Sequence, residues 1–180
     1  MARLGKIDWI TAGFRALTAA GPQALVIEKI AVDLGVSKGS FYWHFKNLKT
    51  FKADMIEHWA SAGTKQLIDN TTQSQADPAG RLSHLIAQIA GSDISKYDGP
   101  SAETAIRDWA KYDPAVAAKI SAIDDIRLSF VTAQFCEAGQ DNPVAKQSAR
   151  IMYAALIGLE SMPHHQSLKR DLDRLLSALL

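Results

Sequence analysis

The run KGSFYWHFK, residues 38–46, gathers two lysines, a serine, a tyrosine, a tryptophan and a histidine around two phenylalanines. If it is helical, Phe41 and Phe45 lie one turn apart and point together into a core. Gly39 and Trp43 then face the opposite way. Ser40 and Tyr42 flank them, with Lys38 and Lys46 at the edges. Hydroxyl, imidazole and ammonium groups set out this way suit phosphate oxygens, and a glycine near the helix start lets a partner approach the backbone closely. Exposed Tyr-Trp on a short helix is costly unless it contacts something.

The elements that must position this run lie just before it. Ile30, Ala31 and Leu34 recur at helical spacing. Gly35 follows, where a left-handed residue ends a helix at little steric cost. Val36 is an apolar plug between the helices, and Ser37 is a good N-cap with its hydroxyl available to the next free amides. Helix, glycine-containing turn, helix is the order of a DNA-binding helix-turn-helix. A plain helical hairpin with all its aromatics inside accounts for Phe41 and Phe45. It leaves Tyr42, Trp43 and His44 unexplained.

The 180 residues carry a formal net charge of +1, and this balance hides a split. Residues 1–52 hold eight Lys/Arg against three acids, whereas residues 53–180 hold twelve against sixteen. A basic head bearing the turn motif and an acidic body fit a nucleic-acid end and another end. Cys136 is the single cysteine, so an internal disulfide and a multi-cysteine metal site are excluded. It reads as a small buried apolar group. No run approaches a membrane span, and Lys6, Asp8 and Arg15 interrupt any N-terminal signal core, so the cytoplasm is the default location.

Periodicity predicts an all-α chain of about nine helices, with no strand alternation and no repeats. The first helix is expected from Gly5 to Ala20 with Ile7, Ile10, Phe14 and Leu17 buried, and Gly21-Pro22 stops it. A long helix runs from near Asn47 past Trp59 to about Asp69, and Asn70–Pro78 connects it to a helix over Arg81–Gly91 with Leu82, Leu85, Ile86 and Ile89 inward. Residues 93–100 read as loop, and Ser101 as the cap of a helix holding Ile106 and Trp109. Pro114 opens a helix to about Glu137 with Gly139 behind it, and Asn142-Pro143 opens another to Glu160. Pro163-His164-His165 is a break, and adjacent histidines point apart, which argues against a metal site. Leu168, Leu172, Leu175, Leu176 and Leu179 make the last helix amphipathic.

From Trp9 to Phe51 the chain resembles the N-terminal domain of the TetR family of bacterial transcriptional regulators. The matching residues are Ala12, Leu17, Gly21, Ile30-Ala31, Gly35-Val36-Ser37, Gly39, Phe41, Tyr42, His44 and Phe45. The resemblance implies a helix-turn-helix domain over residues 1–46 and a helical ligand-binding and dimerisation domain over 47–180. It implies a homodimer on a pseudo-palindromic double-stranded DNA operator, a small-molecule effector, no cofactor and no membrane partner. Ser37, Lys38, Ser40, Tyr42 and His44, with Lys46 beside them, are the expected DNA contacts, and Gly39 and Trp43 lie nearest the bases. Pairing through the last two helices puts Met152, Ala155, Leu156, Leu168, Leu172, Leu175 and Leu179 at the dimer interface.

Three positions depart from the family pattern. Leu25-Val26 stand where a Thr or Ser usually caps the second helix. Leu48-Lys49 replace a Lys followed by an acid. Glu28 puts an acid near where some members carry a base-reading arginine. In the body, Ala105–Val116 with Asp124 and Arg127 resembles a sub-group of the family, and Arg107 needs a carboxylate such as Asp108, Asp124 or Asp125. Trp59, Ile86, Trp109, Tyr112, Phe130 and Gln134 are the candidate lining of an effector pocket, against the plainer reading that such aromatics are core. No phosphate loop, nucleophile elbow or His-Glu-x-x-His motif occurs, so the chain does not read as an enzyme. The favoured function is a DNA-binding transcriptional regulator, a repressor released by its effector. The alternative is a dimeric ligand-binding or protein-interaction module of the same fold without operator binding.

Overall fold

The computed structural model describes residues 4–74, 77–91, 100–162 and 167–180. Among them the helices are α1 (Lys6–Ala20), α2 (Ile27–Asp33), α3 (Lys38–Tyr42), α4 (Leu48–Ala60), α5 (Gln66–Gln73), α6 (Pro78–Gly91), α7 (Pro100–Ala110), α8 (Pro114–Glu137), α9 (Asn142–Glu160) and α10 (Leu168–Leu179). A π-helical stretch, Ser61–Lys65, leads from α4 into α5, and counting these three pieces as one restores the nine helices expected. No strand occurs among the described residues. The chain forms two compact units, Met1–Ala60 with Asp93–Lys119, and Ser61–Ser92 with Ile120–Leu180.

In the first unit α1 buries Trp9, Ile10, Ala12, Gly13, Phe14 and Leu17. Ile7, expected inside, is half exposed, and the inward position belongs to Trp9. The indole explains the exchange, because it stands edge-on to Phe41 with ring centroids 5.3 Å apart. Gly13 is where α1 meets α4: a Cβ there would lie 2.6 Å from Phe51 Cζ and 2.7 Å from Met55 Sδ. Both neighbours are fully buried, so neither has room to retreat. α2 lacks a side-chain cap, as Leu25-Val26 suggested, since Val26 takes the N-cap position without one. Leu25 is buried instead. Asn47 caps α4 by accepting from Thr50 N at 2.9 Å and from its hydroxyl at 3.2 Å.

In the second unit Leu82 and Ile86 of α6, Val131 and Phe135 of α8, Ala145, Ala149 and Met152 of α9, and Leu172 and Leu176 of α10 share one core. Leu85, Phe130, Cys136, Leu168, Leu175 and Leu179 pack partly buried against it. Cys136 is therefore half-buried rather than fully enclosed. Met152 and Leu172, assigned to a dimer interface from sequence, are spent within their own unit. The outward line of α9 is one residue over, along Ile151, Ala154 and Gly158.

Polar groups tie the edges of this unit. Arg127 Nε donates to Thr64 Oγ1 at 2.9 Å, Nη2 to the Gly63 carbonyl at 3.2 Å and Nη1 to Tyr153 Oη at 3.1 Å. Tyr153 Oη in turn donates to Asp124 at 2.6 Å. Arg81 Nε donates to Gln134 Oε1 at 2.6 Å, and the same guanidinium pairs with Glu137.

Several boundaries differ from expectation. α5 continues to Gln73, beyond the polar connection read from Asn70, because Thr71 is buried and accepts from Gln88 of α6. α6 starts at Pro78, with Asp77 Oδ1 accepting from Gly80 N at 2.7 Å. α7 opens on Pro100, so Ser101 sits inside its first turn rather than capping it. The loop expected over 93–99 and the His164-His165 break lie outside the described residues. α8 and α9 have the bounds the sequence predicted.

Candidate nucleic-acid interface

The turn is built as its residues dictate. Leu34 closes α2, and Gly35 adopts φ +66°, a conformation that favours glycine. Val36 is half-buried and its amide returns to the Ala31 carbonyl at 2.9 Å. Ser37 occupies the N-cap of α3 with extended backbone, but its hydroxyl makes no capping bond. The expected capping bond is therefore not made.

α3 itself is shorter than the sequence suggested. It spans Lys38–Tyr42, Trp43 is its C-cap, and the amides of His44 and Phe45 both fall back on the Phe41 carbonyl. The facial division holds through this shorter helix. Phe41 and Phe45 are buried with ring centroids 5.0 Å apart, and Phe51 meets both rings edge-on at 5.5 and 4.9 Å. Tyr42 remains 52% exposed and Trp43 81% exposed. Lys38, Gly39 and Lys46 are exposed as well, while Ser40 and His44 are half-buried. The eight candidate residues thus form one short patch on an aromatic base.

A Cβ at Gly39 would meet nothing closer than Ser37 Oγ at 3.5 Å, ordinary contact. The interior of the chain does not demand glycine there.

Lys38 is not a free cation. Its ammonium pairs with the Glu28 carboxylate of α2 at 2.5 Å. The pair holds the Glu28 carboxyl below its ordinary range through the lysine's hydrogen bond, and the same bond raises Lys38. Glu28, a departure from the family pattern, lies ten residues from Lys38, so local spacing carries no sign of the pair. Lys6 pairs with Asp54 at 2.9 Å and lies over the Phe45 ring at 5.5 Å, pinning α1 to α4 beside the patch.

The first unit also contains a cavity of about 580 Å³ between α4, the end of α7 and the start of α8. Of the six candidate pocket residues, Trp109 lines it. Tyr112 is 83% exposed and so placed at the surface, because α7 ends at Ala110 and carries it into the turn before Asp113. Ile86, Phe130 and Gln134 belong to the second unit, where Gln134 is bound by Arg81. Trp59 is half-buried in the first. Arg107 meets Glu103 one turn earlier in its own helix at 2.7 Å rather than Asp108, which pairs with Lys111.

Among the described residues no helix is long and apolar enough to cross a membrane, and no group of three or more His, Cys, Asp or Glu gathers at a metal-binding distance.

The family described as bacterial regulatory proteins, tetR family, matches residues 10–50. No curated protein matches the chain. Solved structures similar to it include a transcriptional regulator from Rhodococcus sp. Rha1, with TM-score 0.76 and 19% identity over 98% of this chain and 96% of that one. Another is FadR from Bacillus subtilis, a transcriptional regulator in complex with stearoyl-CoA, with TM-score 0.72 and 15% identity over 97% of each chain. A TetR-family protein from Mesorhizobium loti aligns with TM-score 0.70 and 17% identity, over 97% of this chain and 94% of that one.

Proposed function

We propose, from a head whose residues 10–50 match the tetR family of bacterial regulatory proteins, that this chain is a sequence-specific DNA-binding transcriptional regulator that represses until a small-molecule effector releases it. The carrying observation is the exposure of Tyr42 and Trp43 on a helix whose other face is locked down by Phe41 and Phe45. Two large aromatics held in water are costly, and a groove that accepts them removes that cost. Two copies of α3, about 34–36 Å apart, match successive major-groove faces of a duplex, and this spacing requires a dimer. Ile151, Ala154 and Gly158 give α9 an outward apolar line suited to pairing with a second copy.

Ser37, Lys38, Ser40, Tyr42, His44 and Lys46 serve as backbone contacts, and Gly39 and Trp43 approach the bases. Release follows from differential affinity: an effector that prefers the conformation with another head separation lowers operator occupancy by that preference alone. The likeness to FadR, which holds an acyl-CoA, supports an effector with an apolar portion.

Selection of bound sequences from random DNA tests the reading. The expected result is a two-fold symmetric consensus with half-sites one turn apart. Recovery of no sequence, or of a consensus that survives Tyr42→Ala and Trp43→Ala together, overturns it.

A further inference from the structure

The geometry points to the cavity of the first unit as a binding site for an apolar carboxylate, the charged end held by Lys49 and Lys52 and the body by the walls behind them. Leu48, Ile56, Trp109 and Val116 supply an apolar lining, and the volume of about 580 Å³ suits a small organic molecule. The charges around the cavity are not equivalent. Lys119 is already neutralised by Glu57 at 2.6 Å. Asp113 is committed to its own fold: one oxygen accepts from Trp109 Nε1 at 3.2 Å, and the other caps α8 by accepting from Ala115 N at 3.1 Å. Among the described residues Lys49 and Lys52 have no carboxylate partner, and the Lys52 ammonium rests 5.3 Å from the centroid of the Trp109 ring.

Two cations three residues apart on α4, neither held by a carboxylate among the described residues, therefore line an apolar recess. Ammonium groups at the rim attract one negative charge, and the recess rewards an apolar body attached to it. A cation would meet two like charges, and a neutral molecule would leave both unused. This site refines the effector of the proposed regulator in chemical class, and it rests on that reading only for its consequence on DNA. Lys49 sits on the first turn of the helix that directly follows α3 in the chain.

Binding can be measured on the full chain without DNA, so failure here and failure of operator binding are separable. Decanoate serves as the probe. Controls are 1-decanol, which keeps the body without the charge, decyltrimethylammonium, which reverses the charge, and inorganic phosphate, which supplies charge without the body. The readout is calorimetry together with the tryptophan indole cross-peaks of a labelled sample, with Trp109 assigned through Trp109→Phe. Decanoate is expected to bind once per chain, to move the Trp109 peak, and to bind at least tenfold more tightly than any control. The pair Lys49→Gln and Lys52→Gln should remove at least tenfold of that affinity. Ala53→Phe, which fills the cavity and leaves the charges in place, should abolish the Trp109 response with the thermal transition retained. Equal binding of decanol, an undiminished response in the glutamine pair, or a Trp109 peak that never moves overturns the site.

Discussion

Individual side chains on α3 do separate jobs. A Cβ at Gly39 makes only an ordinary contact with Ser37 Oγ and its φ is not in the left-handed region, so a methyl group fits, and the exchange to alanine gains helix propensity of up to about 1 kcal/mol. Gly39→Ala should therefore leave the thermal midpoint unchanged or raised while weakening operator DNA by about tenfold. Loss of stability with unchanged binding would show that the glycine serves the fold. Gly13 predicts the opposite. Gly13→Val gains little propensity and drives its branches into Phe51 and Met55, where overpacking costs about 1–3 kcal/mol. Urea melts of that variant should show this loss whether or not DNA is present.

Glu28 makes Lys38 a shared cation. Because the folded carboxyl lies below its ordinary value, the pair's contribution is present at neutral pH and disappears as pH falls through that lowered folded value. The raised lysine contributes fully below its ordinary value and loses its share as pH climbs through the raised one. An NMR titration of the Glu28 carboxyl should move up toward the ordinary range in Lys38→Met, because the lysine's hydrogen bond is the largest cause of the lowering. An unmoved midpoint would remove Lys38 as the cause.

At the scale of elements, the π stretch Ser61–Lys65 is the feature least determined by its own sequence. SAGTK contains nothing that separates a π turn from an α turn, and its stabilising partner, Arg127, lies more than sixty residues away. Arg127 takes the Gly63 carbonyl and the Thr64 hydroxyl together, which are groups an ordinary α turn would present differently. Arg127→Met should destabilise the chain by about 2–3 kcal/mol, because charged hydrogen bonds are lost from a half-buried site. Hydrogen exchange over residues 61–65 should accelerate first. Tyr153→Phe keeps the guanidinium and should cost only about 1 kcal/mol.

Local signals were readable where the residue and its cause are neighbours. Gly35, the Phe41–Phe45 pair, Pro114 and Asn142-Pro143 carry their reason within a few positions, and the turn, the aromatic base and the bounds of α8 and α9 follow from them. Positions decided by distant contact were not readable. Ile7 loses its place because Trp9 finds Phe41, Met152 turns inward because α6, α8 and α10 converge on it, and Tyr112 lies outside because α7 stops just before it. The exposed patch on α3 was visible as a set of residues, but the Glu28 partnership that restrains one member links α2 to α3 across the turn.

For the whole molecule the proposed reading makes electrostatic and symmetric demands together. With about four phosphates neutralised by each of two copies, log affinity should fall against log salt with a slope near −7, taking about 0.9 per contact. Lys46 is exposed and has no ion pair among the described residues, so Lys46→Gln in a dimer removes two contacts and should flatten the slope by about 2. The same two-fold arrangement fixes what a surface substitution far from α3 does. Ile151 is half exposed on α9, and a glutamate there leaves the core of its own unit untouched while setting like charges against each other across a symmetric interface. Ile151→Glu should sediment as a monomer with an unchanged helical spectrum and lose operator binding, since one α3 alone reads a single half-site. Tight binding by a species that sediments as a monomer would break the link between pairing and recognition on which the two-fold operator depends.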